Sequence, residues 1–200
     1  MLGPWLWTAI VLVLTVLEYD TLTGFGWTPG GSYGVNYPSS LALGHFGWAQ
    51  MANFALLGLS LIGLAIALYR SVRPGRPAKV APVLMGIAGF GFLLSVFPTD
   101  TGPPNAAATW HGEIHGIGFI VALLPLMLSM FFFALSARGD SRWNGYGWIG
   151  PVVGVIALLA FFGLAAIMPA SLDQIPFYIT LVALFAGISL IGFRLRSSLR

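Results

Sequence analysis

The sequence predicts an all-α, polytopic membrane protein: one bundle of six transmembrane helices spanning residues 1–200, with both termini in the cytoplasm. Three observations predict it. First, 58% of the 200 residues are hydrophobic and only 8% are charged, whereas a soluble domain carries about 25% charged residues. The mean hydropathy is +0.88. Such a chain cannot cover itself with polar surface in water, so lipid is its expected solvent. Second, six apolar segments reach or approach the ~20 residues that cross a bilayer as a helix. Third, all nine Lys and Arg fall in three short polar segments.

The first segment, residues 4–19, reads PWLWTAIVLVLTVLEY. It has no basic leader and no small-residue cleavage site, so it is expected to stay as a span. Residues 20–40 are rich in Gly, Ser, Thr and aromatics. They are too polar to span and are expected to loop over the end of the bundle. The second span is expected over 40–69 and the third over 80–97. The fourth, 106–135, contains Pro125, which removes a ladder hydrogen bond and predicts a kink. Asn105 follows two prolines and is the expected N-cap of that helix. The fifth and sixth spans are expected over 146–168 and 175–193.

Helices are expected throughout because backbone in lipid must satisfy its own hydrogen bonds. The short alternating segments of a barrel are not present. Gly58, Gly63, Gly86, Gly89, Gly112, Gly116, Gly150 and Gly154 predict close helix contacts. There is no fixed-period repeat and no domain boundary.

Charge sets the expected orientation. Arg70, Arg73, Arg76 and Lys79 lie between spans two and three, and Arg138 and Arg142 between spans four and five. Arg194, Arg196 and Arg200 follow span six. Six spans put all nine on one side, which the positive-inside rule makes the cytoplasm. The acids Glu18, Asp20, Asp100, Glu113 and Asp173 fall at the opposite ends, as do His45, His111 and His115. Only Asp140 is expected on the basic side. Any chemistry should therefore face away from the cytoplasm.

The stretch FPTDTGPPNAAATWHGEIHG, residues 97–116, concentrates that chemistry. His111 and His115 are four residues apart, about 40° around a helix, so both imidazoles share a face. Glu113 lies about 200° from His111, so it is not the general base of an H-E-x-x-H metalloprotease. A metal needs three or four ligands. His45 and Asp100, expected at the same depth, would complete a set of His45, Asp100, His111 and His115 for zinc or another divalent ion. A bound water could then attack a lipid-like ester or amide. Asp100 or Glu18 would serve as base or orient a ligand. The alternative is a structural polar cluster in a non-enzymatic protein, such as an accessory subunit packed on a membrane partner.

A haem or carotenoid is a further alternative. His45 with one of the other histidines could bind an iron axially, whereas His111 and His115, on one face of one helix, could not both do so. Aromatics make up 14% of the chain, with seven Trp. Trp5, Trp7, Trp27, Trp48, Trp110, Trp143 and Trp148 read more simply as interface anchors.

The absence of cysteine excludes disulfides, thiolate metal sites and cysteine nucleophiles. No phosphate-binding glycine loop and no G-x-S-x-G elbow is present. No span carries a charge near its middle, which argues against an ion pump. The basic tail RLRSSLR reads as an orientation anchor beside anionic lipid, with no nucleic-acid partner expected.

Phe97, Pro98 and Asp100, followed by His111, Gly112 and His115, resemble the signature of the DUF998 family. These are bacterial and archaeal six-span membrane proteins of unknown function, with an F-P-x-D turn after the third span and an H-G-x-x-H start to the fourth. The resemblance covers nearly the whole chain. It implies a six-span fold in a prokaryotic plasma membrane and a site at these residues. The constellation of Ser40, His45, Asp100, His111 and His115 is also similar, more loosely, to the site of adiponectin-receptor and alkaline-ceramidase hydrolases. Those proteins have seven spans and a different Ser-to-His spacing, so the likeness is one of constellation.

Overall fold

The computed structural model describes residues 2–27, 37–72, 76–100, 108–169, 172 and 174–198. Every regular element among them is helical. α1 (Gly3–Leu17) starts on Pro4, whose fixed φ suits a first helical turn. It turns Trp7, Val11 and Leu14 inward at helical spacing. A short α2 (Tyr19–Gly24) follows. After a 3-10 turn over Pro38–Leu43, α3 (Gly47–Ser71) and α4 (Arg76–Leu94) form a hairpin. α5 (Trp110–Ala137) is the longest helix and keeps its helical assignment through Pro125. α6 (Ile149–Leu158) widens into a π-helical segment, Leu159–Leu164, and α7 (Ile175–Ser197) closes the bundle.

α3, α4, α5 and α7 are each long and apolar enough to cross a membrane, while α1 and the α6 segment are apolar but shorter. The chain is an integral membrane helical bundle. Large apolar side chains point outward as well as inward, among them Val16 and Ile167, each more than three-quarters exposed. In water that surface would be prohibitive; in lipid it is the expected exterior.

Neighbouring helices pack in chain order, α1 lies on α3, and α7 touches both α1 and α5. Small residues bring the backbones together. A Cβ added to Gly58 would lie 2.6 Å from the Gly89 carbonyl oxygen, and one on Gly91 would lie 2.2 Å from the Ala122 nitrogen. Gly150 meets the Met130 carbonyl of α5 in the same way, and Gly154 makes room for the Phe131 ring. Gly63 and Gly116 face open space, and Gly86 makes only an ordinary contact with Ala65. These three are not the packing positions the sequence predicts.

The largest departure from expectation is the start of α3. α3 begins at Gly47, not Ser40. Pro38 opens a separate 3-10 turn and Gly44 leaves it in an extended conformation, so the apolar run is interrupted. His45 therefore sits in a turn before the helix. Asn105 lies outside the described residues, and the N-cap of α5 is Thr109, whose side chain accepts from the Gly112 N–H. Asp173, Arg73, Arg200 and residues 28–36 of the outer loop also lie outside the described residues, as does the side chain of Arg76.

The basic segments meet at one end of the bundle. The Arg142 guanidinium holds Asp140 at 2.6 Å and also donates to the Ser71 carbonyl at the end of α3. Arg194 of α7 donates to the Arg142 carbonyl at 2.8 Å. Ser136 of α5 donates to the Ala78 carbonyl of α4 at 2.6 Å.

Candidate functional site

At the opposite end, the return from α4 to α5 organises the histidines. The chain leaves α4 at Leu94 and runs through Phe97 and Pro98 without helical hydrogen bonds to occupy their carbonyls. Those two carbonyls face α5. His111 Nδ1 lies 3.0 Å from the Pro98 oxygen and His115 Nδ1 lies 2.7 Å from the Phe97 oxygen. A carbonyl can only accept, so each Nδ1 carries the hydrogen. That fixes the tautomer of a neutral ring and leaves each Nε2 with its lone pair.

Asp100 anchors the same turn. Its carboxylate accepts from the Thr109 hydroxyl at 2.5 Å and the Thr109 N–H at 3.0 Å. His111 Nδ1 lies 3.8 Å from the carboxylate. The Thr109 hydroxyl and then its N–H hold the carboxyl below its ordinary range against a smaller opposing effect of burial. A negative group beside the N-terminus of α5 also suits the helix dipole. Gly112 makes room for it: a Cβ there would lie 2.0 Å from an Asp100 oxygen. Gly112 thus serves the carboxylate rather than a neighbouring helix.

Glu18 and His45 belong to a different cluster. Glu18 follows α1, is 2% exposed, and accepts from the Phe46 N–H. It clasps the turn before α3 onto the end of α1. The His45 ring is exposed and packs edge-on against Phe46 at 5.0 Å. Glu113 is exposed on the outer face of α5, as its spacing predicts. Among the described residues, no three His, Cys, Asp or Glu side chains gather as a metal would require. The structure joins Asp100 to His111 and sets His115 beside them, and it places His45 with Glu18.

Below the turn lies the feature that sequence reasoning missed. A cavity of about 330 Å³ opens between the helices. Seven aromatic side chains line it, including Trp7 of α1, Phe54 of α3, Phe119 of α5, Phe161 of the π segment and Phe177 of α7. His115, Ser39 and Ser95 are among the few polar contributors. The His115 ring stands edge-on to Phe54 at 5.9 Å, so α3 and α5 together present it to the cavity. Trp7, 5% exposed, and Trp143, 3% exposed, are core residues rather than interface anchors. Trp5, Trp48, Trp110 and Trp148 are exposed as anchors should be. The signal for Trp7 was its spacing from Val11 and Leu14, which places it on the buried stripe of α1.

A second buried polar group adjoins the cavity wall. Asn53 of α3 donates to the Trp7 carbonyl at 3.0 Å and to Gln50 Oε1 at 3.2 Å. Both side chains are at most 1% exposed. Trp7 Nε1, Gln50 Nε2 and Asn53 Oδ1 have no hydrogen-bond partner among the described residues. Being uncharged, the pair leaves no mark in the charge pattern of the sequence.

The π segment has a local cause. The buried Thr180 hydroxyl of α7 lies 3.3 Å from the Ala157 carbonyl, while also donating to Pro176 at 2.8 Å. A side chain that reaches into the ladder relaxes it, and a widened turn follows.

Compared with known proteins, residues 8–194 match the model of a family described as a protein of unknown function (DUF998). No curated protein and no solved structure matches the chain.

Proposed function

The chain belongs to the DUF998 family of proteins of unknown function, and from that premise we infer that it holds a largely apolar, lipid-like molecule within the bilayer. The observation that carries this reading is the aromatic cavity with one imidazole in its wall. Its volume, about 330 Å³, lies at the lower end of the range for small-molecule sites, which pair apolar walls with a few fixed polar groups. His115 supplies such a group. With Nδ1 held by the Phe97 carbonyl, its Nε2 offers an acceptor to a hydroxyl or amide of the occupant. In this reading the protein is non-enzymatic, and Asp100 and Glu18 hold the turns that frame the cavity.

The topology that suits this reading has six spans, α1 and the α6 segment being the two shorter ones. The basic end faces the cytoplasm together with both termini, and the cavity opens toward the other face.

A second reading keeps one observation in its favour. Both Nδ1 atoms of the His111 and His115 pair are tied to carbonyls, the arrangement that orients metal-ligating imidazoles. A divalent ion on the two Nε2 atoms would need further ligands from water or a substrate, and a hydrolytic role would build on it.

The test is chemical analysis of protein purified in mild detergent without a His tag. Organic extracts of the wild type, Gly116→Leu and His115→Ala are compared by mass spectrometry, with metals measured in parallel. Gly116 lines the cavity and a Cβ there meets nothing within 4 Å, so the side chain of leucine starts into open space. The expected result is an apolar compound that co-purifies with the wild type and is lost in Gly116→Leu. Equal extracts from wild type and Gly116→Leu would refute the cavity reading. Near-stoichiometric metal, lost in a His111→Ala/His115→Ala variant, would favour the second.

A further inference from the structure

A separate groove lies at the basic end, on the lipid-facing side of the α3–α4 hairpin. It measures about 420 Å³ and is lined by Ile62, Ile66, Tyr69, Arg70, Pro82 and Gly86, among others. Both of its walls are helices that are long and apolar enough to cross a membrane. Arg70 lies one residue before the end of α3, and Lys79 lies in the first turn of α4. From Arg70 to Ile62 the groove descends about 12 Å along the helix axis. A shallow apolar channel thus runs inward from a cationic rim.

Among the described residues, no acid neutralises the rim. Asp140, the one acid in the basic segments, is gripped by Arg142. Among the described residues, no ion pair reaches Arg70 or Lys79. Lys79 Nζ sits 4.3 Å above the Tyr69 ring, which holds the ammonium beside the mouth of the groove. Ile66 is 48% exposed and Tyr69 42% exposed, so the apolar floor is open to the bilayer. Two neighbouring cations at membrane-surface depth, above an apolar slot, match an anionic headgroup with its acyl chain below it. A zwitterionic lipid would fill the slot but leave the charge unanswered.

We propose that the α3–α4 groove seats one anionic phospholipid of the surrounding bilayer, its phosphate between Arg70 and Lys79 and an acyl chain along Ile62, Ile66, Pro82 and Gly86. Gly86 is the floor of the seat. A Cβ there meets only Ala65 Cβ, at 3.6 Å, so the space above it belongs to the chain of the lipid.

The experiment is native mass spectrometry of the detergent-solubilised protein titrated with phosphatidylglycerol or phosphatidylcholine, beside three variants. The wild type should take up one phosphatidylglycerol in clear preference to phosphatidylcholine. Arg70→Ala/Lys79→Ala should weaken that binding roughly thirtyfold, at about 1 kcal/mol per basic residue. Gly86→Leu should abolish it by filling the slot, while leaving the lipid-free melting temperature unchanged. Arg138→Ala/Arg196→Ala removes the same charge from the same end and should change the binding little. Equal uptake of the two lipids would overturn the proposal. So would an equal loss in both double variants, which would mean diffuse surface attraction, or undiminished binding in Gly86→Leu.

Discussion

Replacing Gly91 by alanine should splay α4 from α5 and disturb the histidine turn above them. The added Cβ would lie 2.2 Å from the Ala122 nitrogen and 2.5 Å from the Val121 carbonyl carbon. Ordinary contact begins near 3.4 Å, so the two helices must part by roughly 1 Å, because neither obstacle is a flexible side chain. Overpacking in a closely packed core costs about 1–3 kcal/mol, and backbone on both sides places this case near the upper value. A loss of about 3 kcal/mol lowers the folded-to-unfolded ratio more than a hundredfold. The strain lies directly beneath the site. Gly118, one turn from Gly91's contacts, is tight as well, since a Cβ there would lie within 3 Å of Ser95 and the Gly91 carbonyl oxygen, and the hydrogen bond from His115 to Phe97 ties α5 to the turn that follows α4. The assay is thermal unfolding in detergent, followed by intrinsic fluorescence, of Gly91→Ala beside Gly116→Ala. Gly116 lies on the same stretch of α5 and faces open space, so its alanine should be neutral or stabilising by up to about 1 kcal/mol. Equal melting temperatures for the two variants would refute the claim that α4 and α5 meet backbone to backbone.

Three further outcomes are expected. Because the folded Asp100 carboxyl is held below its ordinary value of 3.8, its contribution to stability is full above that value and is lost as pH falls through the lowered folded value. The melting gap between wild type and Asp100→Asn should therefore be widest near neutrality and narrow toward pH 3; a gap independent of pH would contradict the assignment. Thr109→Val removes the acceptor for the Gly112 N–H and the hydroxyl bound to Asp100, and should cost about 1 kcal/mol as a lost N-cap, with Thr109→Ser restoring most of it in the same melting assay. Asn53→Ala removes the tie from α3 to the Trp7 carbonyl, and should cost about 1 kcal/mol, in line with interhelical polar contacts in membranes; an unchanged melting temperature would show that the tie contributes nothing.

Much of the fold was legible because lipid imposes a length rule on apolar helices. Each of the six apolar segments corresponds to a helix, α1 and α3 to α7, with ends displaced by a few residues. The largest displacement, at the start of α3, arose because Pro38–Leu43 is apolar enough to extend the pattern, while Pro38 and Gly44 break the geometry. The pairing of His111 with His115 was legible from helical spacing alone. What they hold was not, since the Phe97 and Pro98 carbonyls become available only where the α4–α5 turn leaves the helix. The separation of His45 from that pair depends on a turn clasped by Glu18, which is tertiary information. The cavity was hidden for a related reason. Each of its walls reads as an ordinary apolar stripe, and only the convergence of α1, α3, α4, α5, the π segment and α7 shows that the stripes do not meet.

The widened turn at Leu159–Leu164 shifts the phase of its helix. An α-helix advances 100° per residue, so an extra residue held in one turn offsets every side chain beyond it from the pattern set before it. Gly150, Gly154 and Ala157 face the bundle in ordinary register, and Phe161 reaches the cavity from within the offset turn. The helix is thus written in two angular frames joined at Leu159, and the second of them supplies Phe161 to the cavity. Shortening the π segment by one residue would bring the frames back into step and carry Phe161 away from the space it lines.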